Sequence, residues 1–417
     1  MSKDGLLHTI LEGLRDACLI WRDEMRQVFR DEGVLIFFFI VPLAYPLLYS
    51  WIYNNEVLHE VPVVVIDDAH SSMSREFIRK CDASSEVKIA YHASDLDEAR
   101  MLMSRQVVRA IYYIPSDFQS RLMRMEQTRV HVYCDMSLMM TYKAAYQTAL
   151  MVSQEMNKEI QIKLSGLHTK REEQIQASPL ASDGVPIFNP AGGYGSFVLP
   201  GVLMLILQQT LVLGIGLSAG TSRESNRFQD LVPIQKHYHG TFRIVLGKAM
   251  CYFMIYAVMG TWLTVVVPRL FHFPCVGHWQ DLLLLMIPYI LACIFFGITV
   301  SCLVRYRENV MLLMVFVSVP LLFLSGTSWP QNNIPGFWQG ISWLFPSTFG
   351  ARGYIRINSM GGTLGDVLFE YRVLWLQMTV YFLIACAVYR HQIFLARQHA
   401  MERLVFLKNK RKERMQS

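Results

Sequence analysis

Charged residues are scarce in this chain of 417 residues. Asp, Glu, Lys and Arg make up 17% of the sequence, whereas a soluble globular domain has about 25%. Hydrophobic residues make up 53%. So large an apolar share with so little charge argues against an ordinary soluble protein and favours a membrane protein.

Motifs for catalysis and for nucleotide binding are also missing. The one Gly-Lys pair, Gly247-Lys248, has Phe242 where a phosphate-binding loop needs its first glycine. No zinc-protease, hydrolase or kinase motif occurs, and the eight cysteines show neither CxxC nor metal-ligand spacing. We therefore expect a chain that is not an enzyme and that holds no metal and no cofactor of its own.

Six apolar runs are each long enough to cross about 30 Å of hydrocarbon as a helix. None has an ionisable residue near its middle, where an ion-coupled carrier places one. Gln208 and Gln209 are the most polar residues within the runs, and they either join helices by hydrogen bonds or line a substrate path. The runs are 34–53, 196–220, 244–267, 282–304, 310–328 and 373–389.

Lys and Arg are concentrated in the links that follow the second and fourth runs and in the C-terminal tail. Arg305 and Arg307 lie in one of these links, whereas Arg269 alone lies between the third and fourth runs. The positive-inside rule therefore predicts that both termini are cytoplasmic. The net charge of +6 owes much to the basic tail 390–417, whose neighbours we expect to be lipid headgroups rather than nucleic acid.

The first two runs are separated by a large insert, 54–195, which this topology places outside. Four short strand-like segments alternate in it with helical segments, and a long helix over 137–164 follows, so we expect an α/β domain with a parallel or mixed sheet. Its acidic pairs, Asp67-Asp68 and Asp95/Asp97, mark a strand end and a helix start rather than a catalytic site. The strands are expected at 61–67, 87–91, 107–115 and 129–135.

Residues 1–33 contain an amphipathic helix over 6–29 with one apolar stripe. Such a helix either packs on a protein core or lies on the bilayer surface, and its position directly before a span favours the surface. A second unusual segment, 221–243, joins the second and third runs. It carries many charges around an apolar stripe that Pro233 ends, which suits either docking into a partner's groove or resting on lipid.

The order of these elements resembles that of the permeases of type-2 ABC exporters over nearly the whole chain. Four stretches carry the resemblance, and the last is the most specific because its Pro and Gly residues recur where two short outer helices must turn. The stretches are VPVVVIDDAHSSMSREFIRKCDAS, IFNPAGGYGSFVLPGVLMLIL, RESNRFQDLVPIQKHYHGTFRIVLGK and LSGTSWPQNNIPGFWQGISWLFPSTFGARGYIRI.

The resemblance implies an α-helical membrane protein with six transmembrane helices (the run 34–53 and five more within 196–389) and an inserted external α/β domain. It also implies two re-entrant outer hairpins over 326–358. In these hairpins Pro residues set the turns and helix starts, and Gly326 permits close approach of the backbone. The hairpin residues with structural roles are Gly326, Pro330, Pro335, Pro346 and Thr348.

The function implied is that of a permease subunit in the inner membrane of a bacterium, which exports an apolar or amphipathic substrate. A separate cytoplasmic ABC ATPase would use ATP and Mg²⁺, a second permease would complete a homo- or heterodimer, and a periplasmic membrane-fusion adaptor would bind the external domain. The family's usual Gly-Thr is replaced by Ser225-Asn226. The alternative is a membrane-anchored receptor or assembly scaffold. The residues implied in ATPase docking are Arg223, Glu224, Phe228, Leu231 and Pro233.

Overall fold

A computed structural model describes residues 3–54, 57–124, 126–165, 187–190, 192–224, 240–303 and 307–416. The chain forms two compact units. Met1–Asn54 and Gly192–Ser417 together form the membrane unit, and Asn55–Ala191 form the α/β unit.

The membrane unit begins with two helices, α1 (Lys3–Val28) and α2 (Glu32–Ile52). Asp31 ends the link between them and caps α2, because its Oδ1 accepts hydrogen bonds from the backbone N–H groups of Gly33 (3.0 Å) and Val34 (3.3 Å). The helix α2 contains one π-helical turn, Ile36–Ile40, and it is apolar and long enough to cross a membrane.

The α/β unit follows α2 and is built on a four-stranded sheet with the order β2-β1-β3-β4. β1 pairs in parallel with β2 and with β3, whereas β4 is antiparallel to β3. The sheet is therefore mixed, and the strands lie within a residue or two of their expected positions, apart from the later start of β3. The elements in chain order are β1 (Val61–Asp67), α3 (Ser72–Asp82), β2 (Val87–His92), α4 (Leu96–Ser104), β3 (Ala110–Ile114), α5 (Phe118–Met123), β4 (His131–Cys134) and α6 (Met139–Ser165).

Both faces of this sheet are covered by helices. α3 and α6 pack on one face, and α4 packs on the other. Tyr112 of β3 joins the sheet to α6, since its buried hydroxyl donates a 2.7 Å hydrogen bond to the carbonyl of Ala145; burial raises the pKa of Tyr112. Ser71 caps α3, and it forms a capping box with Ser74.

Asp67 and Asp95, one residue from each acidic pair, have structural partners. Asp67 Oδ1 accepts hydrogen bonds from the backbone N–H groups of Ala69 and His70, and its Oδ2 accepts one from the Ser74 hydroxyl at 2.8 Å. Asp95 caps α4 by accepting a 2.7 Å hydrogen bond from the Glu98 N–H. These contacts are those expected of a strand end and a helix start.

The rest of the membrane unit is helical. Five helices of the described residues, α2 among them, are long and apolar enough to span a membrane. The helix corresponding to the expected fifth span, α10, has 18 residues and a length of about 27 Å, so it is shorter than these five helices. The helices are α7 (Tyr194–Glu224), α8 (Thr241–Leu270), α9 (Trp279–Leu303), α10 (Arg307–Leu324), α11 (Gly336–Ser342), α12 (Pro346–Tyr354) and α13 (Leu368–Gln416).

The core of the membrane unit lies between α7, α8, α9 and α13. The Tyr289 hydroxyl on α9 donates a 2.6 Å hydrogen bond to the carbonyl of Met204 on α7, which satisfies a polar group in an apolar interior. Gly350 on α12 lies against the same tyrosine, because a Cβ there would come within 2.3 Å of the ring. The helix α13 continues without a break from the last expected span through the basic tail.

Candidate functional site

The predicted docking segment is described only at its two ends. Phe228, Leu231 and Pro233 lie outside the described residues, and Arg223 and Glu224 are placed as the last backbone positions of α7. The docking roles of these five residues therefore stay predictions. What the structure describes is how the ends of the segment, Thr221 and Arg243, are held.

Three acidic residues near the N-terminus hold the flanks of the docking segment; we call Asp16, Glu24 and Asp31 the acidic frame. At the α7 end, Asp31 Oδ2 accepts a 2.7 Å hydrogen bond from the Thr221 hydroxyl. At the α8 end, Asp16 forms a 2.7 Å ion pair with Arg243. Both ends of the segment are thereby tied to the α1–α2 region.

The third frame residue, Glu24, forms a buried ion pair. Its Oε2 lies 2.6 Å from Lys248 Nζ, and the exposed fractions of the two side chains are 4% and 7%. The Tyr252 hydroxyl donates a hydrogen bond to the other oxygen, Oε1. Both oxygens of Glu24 and the ammonium group of Lys248 have partners. These contacts offset the free-energy cost of removing the two charges from water.

A close approach of two helices makes this ion pair possible. A Cβ on Gly247 would lie 2.9 Å from the carbonyl oxygen of Ala17 and from Cβ of Ile20, so only glycine fits there without a shift. Ala17, Ile20, Glu24 and Val28 form the buried stripe of α1. This stripe packs on α8, and the helix that we expected on the bilayer surface thus also packs on protein.

The sequence contained a signal for Glu24 that our reading missed. Glu24 lies four residues after Ile20 and four before Val28, which places it on the apolar stripe of α1 rather than on the charged face. An acid in that position needs a cationic partner when the stripe is buried.

The outer hairpin residues lie at turns and helix starts. Pro330 precedes a short 3₁₀-helix, Gln331–Asn333, while Pro335 precedes α11 and Pro346 is the first residue of α12. These positions suit proline, whose φ is fixed and whose missing N–H is not needed there. The position of these two helices in the outer leaflet stays a prediction.

The role of Gly326 differs from the expected close approach. A Cβ there would lie 3.7 Å from its nearest neighbours, Arg352 Nε and Gln331 Cβ, which is ordinary contact. The backbone of Gly326 instead has φ +82°, a region that side-chain-bearing residues rarely adopt. The close approach occurs instead between Gly201 of α7 and Thr327, the residue after Gly326. A Cβ on Gly201 would come within 2.3 Å of the Thr327 hydroxyl.

Gln208 joins two helices. Its Oε1 accepts a 2.7 Å hydrogen bond from the backbone N–H of Ser347, in the first turn of α12. No side chain of α12 itself caps that helix, so Gln208 satisfies one of the N–H groups that a helix start leaves open. Gln209, the next residue of α7, is half-buried. Helix joining accounts for Gln208, and a substrate path at either residue stays a prediction.

Several buried polar atoms around α12 have no hydrogen-bond partner within the part of the chain that the structure describes. We call Ser347, Thr348, Arg352, Glu370 and Gln377 the α12 polar cluster. The Nε and Nη2 atoms of Arg352, both hydroxyls and one oxygen each of Glu370 and Gln377 lack partners. Arg352 lies 5.4 Å from the centre of the Phe349 ring. Unsatisfied buried groups are costly and rare in folded proteins.

Metal ligation and disulfide formation have no support among the described residues. No group of three or more His, Cys, Asp and Glu side chains could hold a metal ion there. All eight cysteines are free thiols, including the two of the α/β unit, Cys81 and Cys134. Burial raises the pKa of Cys81 to about 12 and that of Cys134 to about 11, so both are neutral thiols at physiological pH.

The apolar helices define a multi-pass helical membrane protein, and comparison with known proteins identifies its family. Residues 33–387 match the family model described as ABC-2 family transporter protein. Since the match covers most of the chain, the protein belongs to this family of transport permeases, whose members are generally non-catalytic subunits.

Two curated relatives agree with this assignment. The chain is 19% identical over 331 residues to a probable multidrug ABC transporter permease, YbhR, of Escherichia coli strain K12. The alignment covers 78% of this chain and 84% of the relative. The protein of the same name from Escherichia coli O157:H7 matches with the same identity and coverage.

Proposed function

We propose that this protein is the permease subunit of an ATP-driven exporter and that it moves an apolar or amphipathic substrate outward across a bacterial inner membrane. Its relatives are described as probable multidrug permeases, and multidrug substrates are commonly apolar. The chain would use no cofactor of its own, and a separate cytoplasmic ABC ATPase would bind ATP and Mg²⁺.

The observation that carries this proposal is the way in which the docking segment is anchored. Thr221 and Arg243, at its two ends, contact Asp31 and Asp16 of the N-terminal region, and Lys248 adds the buried pair with Glu24. An ATPase that pulls on the segment between these anchors would therefore act on α1, α7 and α8 together. A link that only rests on lipid has no need of such anchors.

A second permease and lipids would cover the apolar surface of the membrane unit. Along α10, one side carries large apolar residues that are all more than half exposed. An exposed stripe of this size is expected to contact either lipid or another membrane protein. Its members are Leu312, Val315, Phe316, Val319 and Phe323.

The six-span topology with both termini in the cytoplasm belongs to the same proposal. It rests on the distribution of Lys and Arg, and α10 would be the short fifth span. In this topology the α/β unit is periplasmic, where it would receive a membrane-fusion adaptor, and the residues 326–358 form the outer hairpins.

The proposal is tested by removing the apolar contacts of the docking segment. Burial of each large apolar side chain contributes about 1.5–3 kcal/mol before the costs of association. The double change Phe228→Asp with Leu231→Asp places two charges where the ATPase groove is expected, so the ATPase should be lost. The measurement is a pull-down from detergent at equal permease levels.

The matched control for this experiment is Gln229→Ala, in the same segment, which should retain the ATPase. Insertion of the doubly changed permease into the membrane should be normal, because the segment lies outside the apolar runs. Retention of the ATPase at wild-type yield by the double variant would contradict the proposal that the segment 221–243 docks the ATPase. That outcome would favour a membrane-anchored receptor or scaffold instead.

A further inference from the structure

A groove of about 440 Å³ opens on the α/β unit between α3 and the strand β2. β2 is the last strand on this side of the sheet. The floor of the groove is apolar and consists of Val65 from β1, Ile89 from β2, Ile78 from α3 and Ala93 directly after β2. Its volume falls in the range of about 300–1,000 Å³ that is usual for small-molecule sites.

The groove lies where the parallel strands β1 and β2 end. Asp67 is the last residue of β1 and His92 the last of β2, and both line the groove. The groove therefore lies at the carboxyl ends of the two strands on this side of the sheet. The turn after β1 is also rigid, because Asp67 accepts three hydrogen bonds that hold it, and His70 within it has φ +43°.

The two carboxylates of the groove are already engaged by the unit itself. Asp67 is held by Ala69, His70 and Ser74 as described, and Asp82 Oδ1 accepts a 2.8 Å hydrogen bond from the backbone N–H of Ile89. Their negative charges therefore serve the fold of the groove and are partly offset by N–H donors.

The cationic side chains of the groove are much less engaged. Arg75 and Arg79 are exposed on one face of α3, four residues apart. Arg75 donates one 3.2 Å hydrogen bond to the carbonyl of His70. The Arg79 guanidinium donates none to the described portion of the chain. His70 and His92 add two further groups that can donate hydrogen bonds. The unused donors of the groove thus outnumber its unused acceptors.

We propose that this groove binds a small amphipathic organic anion, with a carboxylate or phosphate group on an apolar body. The guanidinium groups of Arg75 and Arg79 would hold the oxyanion, for which their planar donor geometry is suited. The apolar body would lie on Val65, Ile78 and Ile89. This site is separate from the docking segment and does not depend on the proposed export function.

The test uses three probes with the same apolar body: 1-naphthaleneacetate, 1-naphthyl phosphate and the uncharged 1-naphthaleneacetamide. Each is titrated calorimetrically into the full chain in lipid nanodiscs, with empty nanodiscs as the blank. At least one of the two anions should bind saturably, and the amide at least tenfold more weakly. The anion that binds better identifies the preferred oxyanion.

The arginine variants assign the binding to the groove. Arg79→Gln should weaken binding of the anion about tenfold, and Arg75→Gln with Arg79→Gln about a hundredfold, since one charge-assisted hydrogen bond contributes about a factor of ten. The thermal unfolding midpoint should not change, because both side chains are exposed. The matched control is Arg100→Gln with Arg105→Gln, two exposed arginines in α4 and directly after it, and α4 packs on the opposite face of the sheet.

Three results would overturn the proposal. The first is equal binding of the amide and the anions, which would mean apolar adsorption. The second is an equal loss of binding in the α3 and α4 double variants, which would mean general attraction by positive charge. The third is the lack of saturable binding of either anion at millimolar concentration.

Discussion

Two groups of buried charges in the membrane unit are built in opposite ways. In the acidic frame, Glu24 has Lys248 on one oxygen and Tyr252 on the other. In the α12 polar cluster, Glu370 Oε1 pairs with Arg356 at 2.9 Å, while its Oε2 and two nitrogens of Arg352 have no partner in the residues described.

The difference indicates different roles for the two groups. A charge pair in which both carboxylate oxygens and the ammonium group have a partner holds two helices in one register, so the frame would move as a single piece with α1 and α8. A cluster with unused donors and acceptors is destabilising by itself. We expect such a cluster to gain partners in another arrangement of the helices, which would involve residues 326–358, the predicted outer hairpins.

The largest effect should come from breaking the pair in the frame. Lys248→Met leaves the Glu24 carboxylate buried beside Tyr252 without its cation, and loss of one partner of a buried pair costs about 3–5 kcal/mol. The free energy of unfolding, measured at equilibrium in mixed detergent micelles, should fall by this amount.

A second substitution distinguishes the effect of losing the ion pair from the effect of losing the lysine side chain. Glu24→Gln combined with Lys248→Met removes the uncompensated charge and keeps an oxygen for the Tyr252 hydroxyl. More than half of the lost stability should return. If the double variant is as unstable as Lys248→Met alone, then packing of the lysine stem rather than its charge holds α1 against α8.

Much of the fold could be predicted because its signals are local. Five of the six expected spans are helices long and apolar enough to cross a membrane, since hydropathy over about 20 residues depends on the segment alone. The strand VPVVVID is β1 because a buried parallel strand is apolar throughout. Its Asp67 ends the strand as expected.

Contacts between residues that are far apart in the sequence could not be predicted in the same way. Glu24 and Lys248 are 224 positions apart, and the sequence around either residue does not indicate that the other is its partner. The hydrogen bond from Ser347 to Gln208 spans 139 positions. For Gly326, the sequence indicated that a glycine matters but not whether space or backbone conformation requires it, because both demands select the same residue.

A moderate effect is expected at Gly326, which lies beside the cluster. With φ +82°, any side chain there strains the backbone by about 1–2 kcal/mol, although a Cβ has room. Gly326→Ala should lower the free energy of unfolding by that amount, and Gly326→Asn by less, because asparagine tolerates this conformation better. A greater cost for Gly326→Asn than for Gly326→Ala would mean that space rather than conformation limits the position.

The smallest effect on stability is expected at Arg352. Its Nε and Nη2 atoms have no partner to lose, and its contact with Phe349 contributes less than about 1 kcal/mol. Arg352→Met, which keeps an unbranched apolar stem and removes the guanidinium, should therefore change the free energy of unfolding by less than about 1 kcal/mol. Transport should nevertheless fall, if the guanidinium finds its partner only during the transport cycle.

The neighbouring arginine provides the matched comparison. Arg356→Met removes the ion pair of Glu370, whose side chain is 4% exposed. Because Arg356 itself is half exposed and water screens it, the loss should be about 1–2 kcal/mol rather than the full cost of a buried pair. The same substitution four residues apart should thus destabilise the protein at Arg356 but not at Arg352. If Arg352→Met destabilised the protein more than Arg356→Met, the nitrogens of Arg352 would already have partners, for instance bound water. The contrast between the acidic frame and the α12 polar cluster would then disappear.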